Sequence, residues 1–213
     1  MADWTDTLPP AAQEYLKGRR LDEVECVIPD LPGIARGKAV PATKFSRQDR
    51  FHLPDSIFYQ TITGNWGEAA GDEGFIEKDM ILKPDASTLR VVPWAREPTA
   101  QIIHDCYNLD DELHPLASRT VLRKILKLYE SAGLKPIVAP EVEVYLVSKN
   151  TDPDYELIPP KGRSGRRESA RLSYSIDAVA EFEDFVEDMY DYADAQGLDV
   201  DTLIHENGAA QME

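Results

Sequence analysis

The texture of the sequence changes at Ser118, and that change constrains the fold more than any other feature. Before it, apolar residues come in short alternating runs broken by proline and glycine; after it, they recur at helical spacing. In "EVECVIPDLPGIARGKAVP" the alternation is cut at Pro29, Pro32, Gly33 and Gly37, which predicts short strands joined by tight turns. "DMILKPDASTLRVVPWA" and "TAQIIHDCYN" have the same pattern, and the latter reads as an alternating strand. A short helix is expected over 8–20, with Pro9 and Pro10 at its start and Gly18 near its end.

From Ser118 onward, "SRTVLRKILKLYESAG" keeps Val121, Leu122, Ile125, Leu126, Leu128 and Tyr129 on one face, with Ser118 as the expected cap and Gly133 as the stop. It feeds "KPIVAPEVEVYLVS", a β-branched run that reads as a strand. The polar, Pro/Gly-punctuated "KNTDPDYELIPPKGRSGRRESARLS" reads as a long loop. A second helix is expected from about Asp177 to Gly197, turning Val179, Phe182, Phe185, Val186, Met189 and Tyr190 inward, before a last strand in "DVDTLIHENG". Strands first and a mixture afterwards predict the α+β class, with a β-rich unit over 1–112 and the opening of an α+β unit over 113–213.

Charge narrows the partners. Against 23 Lys+Arg stand 39 Asp+Glu, a formal charge of −16 that repels phosphate backbones and argues against nucleic acid. Much of it lies in "EFEDFVEDMYDYADAQG", at the spacing of a solvated helix face. Cys26 and Cys106 lack CxxC spacing, so neither a disulfide framework nor a zinc site is suggested, and a reducing cytoplasm is expected. No run approaches the roughly 18 apolar residues of a membrane span, so no membrane partner is expected.

The chemistry suggested by the sequence lies in its glutamates. On a strand, Glu141 and Glu143 of "APEVEVYLV" point to the same face. Two like charges side by side repel, and a cation between them would relieve that; an exposed strand face is the plain alternative. Glu206 ends the last apolar run, and Glu213 follows a turn whose Asn207 and Gly208 tolerate positive φ. Four carboxylates from two strands suit a hard divalent ion such as magnesium or manganese. The basic "PPKGRSGRRESAR" lacks the Lys-Ser/Thr ending of a P-loop; its arginines face either an anion, an acidic neighbour or solvent.

These segments resemble the glutamine synthetase family. "APEVEVYLV" is similar to its Pro-Glu-x-Glu strand, and "HENGAAQME" to its Glu…Gly/Ala-Gln-x-Glu segment. "LPGIARGKAVP" and "KPDASTLRVVPW" are similar to its N-terminal G-x-x-R-G-K-x-x-P and PD-x-x-T-x-x-x-x-PW elements. "RLSYSIDAV" and "EDMYDYADAQGLDVDTLIHENGAAQME" resemble the γ-glutamylpolyamine (γ-glutamylputrescine) synthetase branch in particular.

The resemblance implies a β-grasp-like N-terminal domain followed by the truncated start of a glutamine-synthetase-type catalytic domain. It implies a ligase of nitrogen and polyamine metabolism in which ATP phosphorylates the γ-carboxylate of glutamate and an amine, polyamine or ammonia, attacks the acyl phosphate. Glu143, Glu206 and Glu213 would ligate one metal, Mg2+ or Mn2+, and Glu141 a second, nucleotide-associated one. Asp201 would contact the nucleotide and Tyr174 would line the amine pocket; no catalytic acid or base is implied within the chain. An aspartate that the family usually carries near Thr61, in "SIFYQTITGNW", is absent, which favours an amine other than ammonia. The full-length protein would be a homo-oligomer with dodecamer-like rings, and this chain an N-terminal part of it, inactive alone. The alternative is a non-catalytic short homologue that binds metal or serves assembly.

Overall fold

A computed structural model of the chain describes residues 10, 13–14, 17–47, 50–67, 76–150, 152, 154–169 and 171–213. Most of the short helix expected over 8–20 lies outside them. The chain divides into two compact units, Met1–Pro136 and Ile137–Glu213. The helix that opens at Ser118 therefore groups with the first unit.

The first unit is a mixed sheet. Its strands are β1 (Glu23–Pro29), β2 (Ala35–Pro41), β3 (Phe51–Pro54), β4 (Asp79–Pro84), the two-residue β5 (Arg90–Val91) and β6 (Thr99–Tyr107). The order is β2-β1-β6-β4-β3, with β5 also on β6. β1 and β6 run parallel, Cys26 opposite Ile102, and the other pairings are antiparallel. The alternation read from the sequence is the burial pattern observed: Val24, Cys26 and Ile28 point inward from β1, and Ile102, His104 and Cys106 from β6. Of these, Cys26, Ile28 and Cys106 pack with Met80, Leu82, Phe51 and Phe58 in the core.

The β1–β2 turn shows how "PDLPGIARGK" folds. Buried Asp30 accepts from the Ile34 amide (2.7 Å) and from Arg36 Nε (2.8 Å), closing the turn with a charge-assisted bond. Gly37 then passes so close to β1 that a Cβ would sit 1.8 Å from the Cys26 carbonyl oxygen, so no side chain fits there. Cys26 and Cys106 are free and buried, and burial pushes their thiols up to about 11 and about 12 respectively.

A short helix α1 (Ala42–Phe45) follows β2, and helix α2 (Ser118–Ser131) closes the unit. Its end is as expected: Gly133 has φ 71 and donates to the Glu130 carbonyl. Its start differs. Ser118 is the first helical residue, not the cap, and its hydroxyl donates to the Pro29 carbonyl at 2.9 Å, tying the helix to β1. Arg119 bonds Asp85 (2.5 Å) and Asp105 (2.9 Å), so "KPDASTL" is held to the helix by ion pairs. The apolar face expected to be covered is exposed, with Thr120 the one buried residue of the helix.

The second unit has little regular strand. β7 is Val144–Tyr145 and β8 is Gln211–Met212, paired antiparallel with Val144 opposite Met212. The strand expected across 135–148 is confined to β7; Ile137 and Val138 are almost fully exposed. A β-branched run becomes strand only where backbone partners exist, and β8 offers two residues. The second expected helix is two: α3 (Ile176–Ala180), capped by the Ser175 hydroxyl, and α4 (Glu183–Gln196), ended by Gly197 at φ 67. The break falls at Glu181, whose carboxylate accepts from the Ser164 amide while its carbonyl accepts from Arg163 N. Met189 and Tyr190, expected inward, are exposed. Among the described residues no helix is long and apolar enough to cross a membrane.

Candidate functional site

The glutamates gather around a hairpin at 204–213. Its ladder is short: Ile204 and Glu213 exchange two backbone bonds (2.9 and 3.1 Å), and the Glu206 amide donates to the Gln211 carbonyl at 2.8 Å. This fixes Glu206 and Glu213 on its two arms. The turn departs from expectation, because Ala210 takes the left-handed conformation (φ 56) and neither Asn207 nor Gly208 does. Gly208 is needed for room instead: a Cβ there would lie 2.5 Å from the Tyr145 ring and 2.7 Å from Gln211 Oε1.

Gln211 joins the hairpin to β7. Its Oε1 accepts from Gly208 N (2.6 Å) and from the Tyr145 hydroxyl (2.9 Å), while its Nε2 donates to Glu143 Oε1. That arrangement sets the amide's orientation, since the oxygen faces two donors and the nitrogen a carboxylate. Glu141 and Glu143 precede β7, not on it, so their common side does not come from strand alternation.

The four glutamates are nonetheless neighbours. Partial burial, then the charges of Glu141 and Glu206, a hydrogen bond with Glu206 and the charge of Glu143, together push the Glu213 carboxyl up from its ordinary value. Like charges crowding one carboxylate in this way are what a cation relieves. The set is loose: among the described residues no three His, Cys, Asp or Glu side chains are arranged to hold an ion as they stand. Its donor chemistry, carboxylate oxygens only, fits a hard divalent cation.

Behind the glutamates lies a buried polar pair that the sequence did not disclose. His205, fully buried, directs Nε2 at Glu168 Oε2 (2.9 Å) and Nδ1 at the Glu206 carbonyl (2.7 Å). Glu168 and His205 are 37 positions apart, and no local pattern could have joined them. Gln211 was missed for the same reason, although it stands two residues before Glu213 in a motif the sequence presents.

The remaining site expectations are less concentrated. Tyr174 is 70% exposed with φ 60, its amide donating to the His205 carbonyl at 2.8 Å, which puts its backbone beside the hairpin. Asp201 is exposed in the segment leading to the hairpin. The basic loop finds partners within the unit: Arg163 pairs with the acidic Glu183 at 2.6 Å, and Arg167 donates to Ser148 Oγ and the Pro159 carbonyl, both neutral.

Comparison with known proteins agrees with these motifs. Residues 115–213 match the glutamine synthetase catalytic domain. The chain is 29% identical over 196 residues to γ-glutamylputrescine synthetase PuuA of Escherichia coli (strain K12), covering 89% of this chain and 41% of that protein. It is 27% identical over 197 residues to a glutamine synthetase of Pyrococcus horikoshii, covering 92% and 40%. It is 26% identical over 212 residues to a glutamate–isopropylamine ligase of a Pseudomonas species, covering 94% and 44%. The chain thus spans about two fifths of the length of the curated relatives it matches. A solved glutamine synthase homologue superposes with a TM-score of 0.69 at 17% identity, over 91% of this chain and 43% of that one. Ligand-free GmaS gives 0.64 at 18% identity, over 100% and 44%; at such identities the likeness speaks for the fold. Residues 115–213 are thus similar to the glutamine synthetase catalytic domain, and the chain as a whole is similar to about two fifths of the length of glutamine synthetases and glutamate–amine ligases.

Proposed function

We propose that these residues form part of an ATP-dependent ligase that joins the γ-carboxylate of glutamate to an amine through γ-glutamyl phosphate. Glu143, Glu206 and Glu213 hold one divalent cation, Mg2+ or Mn2+, and Glu141 contributes to a second beside the nucleotide. The observation that carries this reading is the crowding of Glu213 by the charges of Glu141, Glu206 and Glu143 at the end of a glutamine synthetase catalytic-domain match. A cation bound there neutralises phosphoryl oxygens as charge is transferred. The chain's own residues do the positioning: Gln211 steers Glu143, the hairpin ladder spaces Glu206 from Glu213, and Tyr174 and Asp201 serve the amine and the nucleotide.

A polyamine is the favoured acceptor, because Thr61 stands where a carboxylate would attract and deprotonate ammonium. The parallel pairing of β1 with β6 inside an otherwise antiparallel sheet supports a β-grasp reading of the N-terminal unit. A cytoplasmic, ring-forming enzyme completes the proposal.

Manganese titration followed by electron paramagnetic resonance tests the cation reading on this chain. Glu143→Ala and Glu206→Ala should each weaken binding by roughly tenfold or more, as the loss of a ligand or its support does. Identical titrations in all three chains remove the assignment. With ATP, magnesium, glutamate and ammonia, putrescine or ethanolamine, the 213-residue chain alone should release no phosphate above background. Steady turnover would overturn the view that it carries only part of the site.

A further inference from the structure

Glu168 sits in the polar loop that the sequence presents as solvated, yet its side chain is only 9% exposed. One oxygen, Oε2, has two partners: the His205 Nε2 at 2.9 Å, and the Ala210 amide, from which it accepts at 2.5 Å. The other, Oε1, is buried without a partner. A carboxylate so withdrawn from water is costly unless its remaining contacts compensate, and here both compensating contacts belong to the hairpin.

Those two contacts fall at consequential places. His205 immediately precedes Glu206 and reaches the Glu206 carbonyl through its other nitrogen. Ala210 immediately precedes Gln211 and is the strained residue of the turn, its left-handed backbone crowding the Cβ against the following carbonyl oxygen. Gln211 in turn holds Glu143. One carboxylate therefore grips both arms of the hairpin, and through them it reaches Glu206 directly and Glu143 at one remove.

We infer that Glu168 is a positioning residue for the cation-binding glutamates, acting through the His205 ring and the Ala210 amide. This rests on the proposed reading of Glu143, Glu206 and Glu213 as ligands. An amide cannot replace it, because its NH2 would occupy the buried Oε1 position with no acceptor, or else face the Ala210 amide donor.

The test uses the 213-residue chain with Mn2+ as the probe, in unmodified form and as Glu168→Gln, Glu168→Ala and Val179→Ala. The last loosens helix α3 without touching the hairpin bonds. Three readouts are taken: Mn2+ affinity, amide hydrogen exchange at Ala210, and the 15N resonances of the His205 ring without metal. Both Glu168 variants should bind Mn2+ roughly 10–100-fold more weakly, exchange faster at Ala210 and shift the His205 resonances. Val179→Ala should lower the thermal midpoint and leave all three readouts in place. Unmodified Mn2+ affinity in both Glu168 variants overturns the inference, as do unchanged Ala210 exchange and His205 resonances in Glu168→Gln. An unmodified chain that binds no Mn2+ sinks the cation reading instead, and the exchange rates and ring resonances then decide Glu168's grip on the hairpin by themselves.

Discussion

The two units are stabilised in opposite ways. In Met1–Pro136 the longer strands run for six to nine residues, and their inward positions carry Val24, Ile28, Met80, Leu82 and Ile102. In Ile137–Glu213 the strands have two residues each, and the buried apolar side chains among the described residues are alanines and Met212. There the buried polar positions of the hairpin belong to His205 and Gln211, beside Ala210 and Met212, with Glu168 behind them. Apolar packing is non-directional and tolerates small shifts, whereas a polar cluster holds its members only at particular distances and angles. The unit with the poorer core is the one that positions carboxylates, and directional bonds are suited to that.

The sharpest way to break this contrast is a cavity in the sheet. Leu82, fully buried on β4, packs among Met80, Phe58 and Cys106. Leu82→Ala should destabilise the first unit by about 2–5 kcal/mol, seen as a lower urea midpoint and faster amide exchange along β1, β4 and β6. A loss below about 1 kcal/mol would mean that the packed sheet is not what holds this unit.

The corresponding change in the second unit removes bonds in place of volume. Gln211→Ala deletes acceptors for the Tyr145 hydroxyl and the Gly208 amide and the donor to Glu143. A cost of about 1–3 kcal/mol is expected, smaller than at Leu82 and confined to exchange of the Gly208 and Glu206 amides. Mn2+ affinity should fall with it, because Glu143 loses its guide. Protection and affinity equal to those of the unmodified chain would place the organisation of the hairpin elsewhere.

How far the sequence discloses each unit follows from the same difference. β1 and β6 are legible because alternation reports burial directly, and the 118–131 helix because its periodicity and Gly133 agree. The Pro-Glu-x-Glu run misleads: its β-branched residues have strand propensity, but strand pairing requires a partner strand, and of this run β8 pairs with Val144 and Tyr145 alone. Asn207-Gly208 misleads in another way, since the positive φ passes to Ala210, where the Glu168 carboxylate holds the amide. The glutamates were legible from their motifs. Their supports, Gln211, His205 and Glu168, were not, because each acts through contacts 37 to 68 positions away.

The smallest effect is a pH response of the first unit. His104 is 1% exposed; burial holds its ring below the ordinary histidine range, against the raising effects of the Ile102 carbonyl and Asp105. Nδ1 has the Ile102 carbonyl at 3.1 Å, but Nε2 is buried without a partner, so a proton added there would find no acceptor. Burial also lowers His114, despite Asp55 at 3.8 Å. Below the unfolded value of about 6.5 the unfolded chain takes up protons that the folded sheet refuses, so stability is full above that value and is lost as pH falls through the folded values. Asp85, held down by its Ser87 hydrogen bond and then by Arg119, loses its contribution only below the ordinary aspartate range. The urea midpoint of the sheet should therefore decline from pH 7.5 to pH 5, and His104→Leu should flatten that decline while leaving the fall at lower pH. Equal slopes in the two chains would mean that His104 is protonated in the folded sheet as readily as in the unfolded chain, and that its buried Nε2 finds an acceptor.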